Sequence, residues 1–494
     1  MPKQDLDLVS KLTPEQLAVK RFQMTCFSPD DGKYGDSGQP LVKYLTPDAE
    51  LRTCAFIQKV LLETRVKFGQ AQQSNLDELV AALEKFDPLN VALIEADRTL
   101  KIEHDQLAVL AELGRYVSEA TAALLHPGTT SYDILDTARS YLFKKAWFEV
   151  IRPEVGKSIK KLCEIAEKAG TTLQVGRTHL QDTSPVPLQT TFALYAARLA
   201  ERVRKCDLYF NDLRGKCSGI VGTGASVDMV IGDGKSIEFE ETFLKKLGLK
   251  PDYTATQILQ KERTADVGHG LTTLVAVLFD FADDIRKMYA SSIKEATSRD
   301  NAERLGGSSA DAMKNNPIQL ENICGTNPIV MSGMIILYSM IQTDFQRDLI
   351  GSKPARYQPQ GMMVETYETF SRLNKTLKQL SINEDRLAQN LEFVRRNPSE
   401  AMTAILRGAG FVHPVYGVGH DFVKEVGKTA LKEGRPLLGV AMEDLLFANL
   451  VDSLYENKKR ILAGQLELYT GSAYQRAESN IAFARTVANR YGGR

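Results

Sequence analysis

Residues 148–169 read FEVIRPEVGKSIKKLCEIAEKA, and their spacing decides the fold class. Apolar side chains recur at Val150, Ile151, Val155, Ile159, Leu162, Ile165 and Ala166. Steps of three and four residues place them on one face of a helix. The rhythm repeats over 187–213 through Phe192, Leu194, Ala197, Leu199, Val203 and Leu208. Stretches 262–293, 318–345 and 366–382 are similarly long. Strand-like alternation is scarce and no hairpin signal is evident. The pattern therefore predicts an all-α protein of three helical domains with a central long-helix bundle.

Turn clusters set the expected domain limits. His126-Pro127-Gly128 closes an N-terminal helical domain over 1–129, and Ser381-Ile382-Asn383-Glu384 interrupts a long helix before the last region. That leaves the bundle at 130–384 and a C-terminal helical domain at 385–494. Gly215 to Gly234 is rich in glycine and serine, as expected of a connection that approaches another element closely. Helices with apolar residues on more than one face bury them inside a large domain or against other subunits, so an oligomer is expected.

Composition narrows the function classes. The chain has 494 residues, 43% of them hydrophobic and 25% charged, with 62 basic and 62 acidic side chains. A balanced charge gives no electrostatic case for nucleic acid or for a membrane surface. The six cysteines, Cys26, Cys54, Cys163, Cys206, Cys217 and Cys324, form no C-x-x-C pair, which fits reduced thiols. The first residues, Met1 to Asp5, are polar, and no uninterrupted apolar run approaches about 18 residues. A cytoplasmic protein without a spanning helix is the expectation. No H-E-x-x-H or clustered His/Cys ligands suggest a metal, and no G-x-S-x-G elbow suggests a hydrolase.

Three segments can carry chemistry. Gly307-Ser308-Ser309-Ala310-Asp311-Ala312-Met313-Lys314-Asn315-Asn316-Pro317 joins two hydroxyls, a lysine and an amide to a Gly-Gly hinge. Such a loop can close over a substrate, with Ser308 as the proton-abstracting oxyanion and Lys314 holding negative charge. Three histidines, His104, His126 and His179, have hydroxyl, amide or carboxylate neighbours able to orient an imidazole. His269, His413 and His420 lack such surroundings and read as structural. Finally, Arg347, Ser352, Lys353 and Arg356 place three cations and a hydroxyl within ten residues. That cluster suits a phosphate or a solvated basic helix end equally well.

These segments resemble the fumarase/aspartase superfamily, and within it the adenylosuccinate lyase family. The loop resembles G-S-S-x-M-P-x-K-x-N-P. His126-x-Gly128-x-Thr130-Ser131-x-Asp133 matches H-x-G-x-T-S-x-D, and Gly176-Arg177-Thr178-His179-x-Gln181 matches G-R-T-H-x-Q. His104-Asp105 stands where the family has R-H-D, and Ser218 to Thr223 resembles S-G-A-V-G-T. Gln257 and Arg263 resemble the Q-x-x-Q-R-D-R segment. Arg347, Ser352 and Arg356 match the phosphate-holding positions of E-R-D-x-S-x-S-x-x-x-R.

The resemblance implies β-elimination of fumarate from a succinylated nucleotide, with no metal or organic cofactor. Ser308 would be the base and His179 the general acid, with Lys314 and Asn316 stabilising the aci-carboxylate. His104 would help orient the nucleotide and support proton transfer, with Asp105 beside it as a substrate contact. Thr130 and Ser131 would bind a succinyl carboxylate, and Gln257 a further polar edge. His126, Thr178, Gln181 and Ser309 complete the expected substrate contacts, and Lys33-Tyr34 corresponds to an Arg-Tyr pair at the nucleotide end. Family active sites draw on three subunits of a tetramer, which implies a homotetramer here. The pattern is broken at four places: Asp311-Ala312 for Met-Pro, Glu103 for arginine, Lys33 for arginine and Ile350 for serine. Two other readings therefore stand beside the family activity: a lyase acting on a different succinyl adduct, and a catalytically silent assembly.

Overall fold

The computed structural model describes residues 13–25, 29–298, 311 and 314–491. Helices dominate these residues, and strands pair only as four two-stranded sheets. The all-α expectation holds. The long helices expected from the pattern are found as Arg152–Ala169, Leu188–Asn211, Glu262–Met288, Ile318–Ser339 and Ser352–Gln379. The last starts well before the expected 366, and the added part holds Pro354 and Pro359. Pro354 in fact lies in the helix's first turn, where a missing N–H costs no ladder bond.

The opening stretch belongs to a longer run. Ser131–Ala146 is α-helical, Trp147–Ile151 is a π turn, and Arg152–Ala169 is α-helical again. The Arg152 N–H reaches the Trp147 carbonyl, five residues back. Pro153, next in line, has no N–H with which to continue a regular ladder, and the wider turn absorbs the mismatch. Trp147 is fully buried, stacked on Phe210 at 4.7 Å, with its indole N–H donating to Asp207 at 2.7 Å.

Two compact units divide the chain. The first comprises Met1–Val155, Arg202–Ala276 and Gly325–Ser371; the second comprises Gly156–Glu201, Val277–Cys324 and Arg372–Arg494. In the first, helix Pro47–Lys67 starts with Thr46 Oγ1 accepting from the Ala49 N–H at 3.3 Å and with proline at its first position. Its Cys54, Ile57, Val60 and Leu61 are buried with Leu135 and Ala138 of helix Ser131–Ala146 and with Val109 and Leu113 of helix Asp105–Gly114. Each such aliphatic side chain contributes roughly 1.5–3 kcal/mol on burial. The shared core thereby fixes the starts of the Asp105 and Ser131 helices relative to each other.

The second unit contains an antiparallel hairpin, Leu173–Thr178 with Gln181–Pro187. Leu173 and Val175 pack on Leu391, Val394 and Leu466. No hairpin signal is evident in the sequence because the turn residues are His179-Leu180 rather than Asn-Gly. Further along, Met402, Leu406, Phe422, Val426 and Phe447 form a separate core. His413 is structural, as expected. Its Nε2 lies 2.9 Å from Asp444 Oδ2, and its Nδ1 accepts from the Val415 and Tyr416 N–H groups at 3.1 Å each.

Glycine crowding supports the expected close approach over 215–234. A Cβ on Gly222 (φ +79°) would lie 2.3 Å from the Ala255 carbonyl oxygen. Cys54, Cys163, Cys206 and Cys217 are buried free thiols and Cys324 is half-buried. One expectation needs correction. Glu262–Met288 and Ile318–Ser339 are long and apolar enough, by length and composition alone, to cross a membrane. A scan for uninterrupted apolar runs misses them because polar residues punctuate both. Most of the first is buried within the fold, whereas Ile329, Ile335 and Tyr338 of the second are exposed.

Candidate active site

Within the first unit, two helix starts bring His104, Asp105, Thr130 and Ser131 together. Thr130 precedes helix Ser131–Ala146, and its N–H donates to Asp133 three residues on, at 2.7 Å. The carboxylate is then inside the helix and the Ser131 hydroxyl at its edge. His104 caps helix Asp105–Gly114, and its Nε2 stands 3.2 Å from Ser131 Oγ. The Gln106 N–H lies 2.7 Å from Asp105 Oδ1 and 3.1 Å from His104 Nδ1, so the carboxylate makes the better-formed bond. Asp105 Oδ1 is also 3.3 Å from Nδ1. With Nδ1 facing the helix start, the Ser131 hydroxyl at Nε2 is the polar partner of the ring's outer nitrogen. Hydroxyl, imidazole and carboxylate thus form a chain open to solvent, with the His104 side chain 42% exposed.

His126 belongs to the support of this site. Its Nδ1 is 3.0 Å from Gln58 Nε2, and burial pushes its pKa down to about 4, so the ring is neutral near pH 7. The backbone at His126 has φ 69°, and buried Arg65 holds the same turn by donating to the Leu124 carbonyl at 2.7 Å and to the Pro127 carbonyl.

The basic cluster is organised around an aromatic ring. The Arg347 guanidinium lies 3.9 Å over the Tyr132 ring, and its NH1 donates to Gln257 Oε1 at 2.8 Å. Its Nε is buried with no protein partner among the described residues. The Tyr132 hydroxyl is 3.0 Å from Ser352 Oγ, at the first residue of helix Ser352–Gln379. One turn on, Arg356 reaches Asp105 Oδ2 at 3.4 Å. The structure thus connects Gln257, Arg347, Ser352 and Arg356 with the His104–Asp105 helix start. Tyr132 is the piece that sequence reasoning missed, and only its place beside Ser131 could have marked it. Glu95 is a second unforeseen neighbour: burial and the nearby Asp105 raise its pKa, while Arg356 and His104 oppose the rise. Lys33 and Tyr34 form their own pair, the ammonium 5.8 Å from the ring centroid, at the start of the Gly35–Gly38 turn.

Within the second unit, His179 and Leu180 form the two-residue hairpin turn with φ of 54° and 60°. Two successive positive angles make the turn follow the twist of the strands, at a steric cost for a residue such as leucine. Thr178 and Gln181 face each other across it, and all four residues are exposed. Arg177 braces the base of the tip. It donates to Asp182 at 2.9 Å and bidentately to the fully buried Glu295 at 2.9 and 2.7 Å. Lys314 is exposed, and its N–H bonds the Asp311 carbonyl at 3.2 Å; Asn316 stands just ahead of helix Ile318–Ser339. Ser308 and Ser309 lie outside the described residues. No group of three or more His, Cys, Asp or Glu able to hold a metal occurs among the described residues.

Comparison with known proteins decides the family. The family model described as Lyase matches residues 51–331, more than half of the chain. The chain belongs to this lyase family. Among curated relatives, adenylosuccinate lyase of Pyrococcus abyssi is 29% identical, covering 88% of this chain and 94% of its own. The enzyme of that name from Archaeoglobus fulgidus is 26% identical over 93% of this chain and 99% of its own. Among solved structures, the 3-carboxy-cis,cis-muconate lactonizing enzyme of Pseudomonas putida superposes with a TM-score of 0.77 at 18% identity, covering 91% of this chain and 97% of that one. A fumarate lyase from Mesorhizobium sp. BNC1 gives 0.75 at 20% identity, covering 90% and 97%. These likenesses extend the lyase fold over nearly the whole chain.

Proposed function

We propose that this lyase is an adenylosuccinate lyase, cleaving the C–N bond of adenylosuccinate to give fumarate and AMP. The Arg347–Tyr132–Ser352 arrangement carries the reading. It offers a planar cation, held by stacking, beside a hydroxyl at a helix start, which suits a phosphate monoester. A substrate lacking phosphate has no use for it. The curated relatives named adenylosuccinate lyase support the same choice.

In this mechanism Ser308, as the alkoxide, removes the proton on the succinyl carbon β to the nitrogen. The electron pair is held in an aci-carboxylate that Lys314 and Asn316 stabilise. Collapse of that species forms the fumarate double bond and expels the purine nitrogen, which His179 protonates. Thr130 and Ser131 bind a succinyl carboxylate, and His104 moves protons on the Ser131 side. The same elimination on the succinylated aminoimidazole carboxamide ribotide would yield the carboxamide nucleotide and fumarate. We place the enzyme in the cytoplasm as a homotetramer, with the exposed Ile329, Ile335 and Tyr338 of helix Ile318–Ser339 covered by other subunits.

The test is to incubate the purified protein with adenylosuccinate and follow fumarate and AMP. Turnover that Ser308→Ala abolishes is the expected result. A folded protein with no turnover, or a fully active Ser308→Ala variant, would overturn the assignment.

A further inference from the structure

Asp133 is the most completely bonded carboxylate near the candidate site, and nothing in the proposed reaction uses it. It is fully buried on helix Ser131–Ala146. Oδ2 accepts from the Thr130 N–H at 2.7 Å and the Gly219 N–H at 3.2 Å, while Oδ1 accepts from the Ser218 N–H at 3.0 Å and from the Lys216 ammonium. A carboxylate has about four acceptor directions, and donors fill all of them. Lys216 is equally buried and donates also to the Gly219 carbonyl at 3.3 Å. One turn further along the helix, Thr137 Oγ1 accepts from the Lys216 N–H at 3.1 Å. The first two turns of the helix are thus fastened to the 216–219 segment.

Stability alone is a poor reason for such a pair. Taking two charges out of water costs about as much as their attraction returns, and an apolar pair of the same shape often serves as well. What the pair does supply is position. The Thr130 N–H held by Asp133 leads directly into Ser131, and Ser131 Oγ in turn meets His104 Nε2 at 3.2 Å.

We propose that the buried Asp133–Lys216 pair is the positioning device of this active site, holding the Ser131 hydroxyl and, through it, the His104 imidazole where the substrate meets them. Its bearing on turnover rests on the lyase reading above; its bearing on geometry does not.

The test replaces both partners, Asp133→Asn with Lys216→Gln, which strands no buried charge but leaves one acceptor oxygen where the carboxylate had two, so that an amide –NH2 faces backbone N–H groups the carboxylate accepted from. Diethyl pyrocarbonate acylates accessible imidazole nitrogen, and peptide mass spectrometry reports the rate at each histidine. With Ser131 released from His104 Nε2, acylation of His104 should rise at least threefold. His413, buried and tied to Asp444, should keep its wild-type rate. In the turnover assay kcat should fall tenfold or more, with a smaller change in KM. Asp133→Glu keeps the charge but displaces it by one methylene, and should move both readouts in the same direction should the double variant fail to fold. Equal acceleration at His104 and His413 would mean general loosening and would overturn the proposal, as would unchanged His104 acylation or unchanged kcat in a folded variant. If the wild type releases no fumarate, the proposed function fails while the His104-to-His413 ratio still decides the geometry.

Discussion

The two units present their expected catalytic groups in opposite ways. In the first, Ser131 and His104 stand on helix starts anchored by a common core, with Asp133, Lys216 and Arg65 buried beneath them. In the second, His179 sits at an exposed hairpin tip on unfavourable backbone angles, and Lys314 lies exposed ahead of a helix. Groups that bind and orient gain from rigidity, because geometry fixed during folding costs nothing at the moment of reaction. A group that must meet a leaving nitrogen can sit at a tip, provided that its base is braced. Arg177, locked to buried Glu295 and to Asp182, is that brace.

The sharpest way to break the contrast is His179→Asn. Removing the proposed general acid at an exposed tip should lower kcat by about 10³-fold and leave the melting temperature unchanged; a large loss of stability would show that the tip is structural after all. Next comes Arg347→Lys, which forfeits the stack on Tyr132 and the planar fork. A rise in KM for adenylosuccinate of roughly 10- to 100-fold is expected, with kcat nearly preserved, and steady-state kinetics separates the two.

Glu240 probes the rigid side. It accepts from the Cys217 N–H at 2.5 Å, and burial raises its pKa from 4.5 to about 7. A carboxyl raised in the fold keeps its proton there while the unfolded chain loses it, so its contribution to stability is lost as pH climbs from 4.5 to 7. Glu240→Gln, which keeps the acceptor, should therefore gain on the wild type across that window by up to roughly 2–3 kcal/mol and stay level above it. Urea unfolding at several pH values reads the difference; a gap independent of pH would contradict the linkage. The smallest effect is expected of Leu180→Gly. Relief of one left-handed leucine should stabilise the protein by about 1 kcal/mol, seen in thermal unfolding, and if the strained tip serves aim rather than stability, turnover should fall.

The sequence made the helices legible because burial repeats every three or four residues. Val155, Ile159, Leu162 and Ala166 are all fully buried as that rhythm requires. It hid the hairpin because His179-Leu180 carries none of the usual turn residues. Of the site, the motifs marked His104, Thr130 and Ser131, which stand at helix starts, and Arg347, which lies ahead of the helix that begins at Ser352. Tyr132 and Lys216 were invisible. Their roles depend on contacts across roughly 80 to 220 residues of sequence, between Lys216 and Asp133 and between Tyr132 and Ser352, which no local pattern reports.

The π turn at Trp147–Ile151 has a bearing on tolerance to insertion and deletion. Each residue advances an α-helix by about 100°, so one surplus residue there sets the phase of everything that follows up to Ala169. Deleting a single residue from 148–151 would leave the composition almost untouched and restore a regular ladder before Pro153. It would also rotate Val155 by about a quarter-turn out of the core in which it is fully buried. The extra residue is a spacer in angle rather than in length, and the helix depends on it for which face it turns inward.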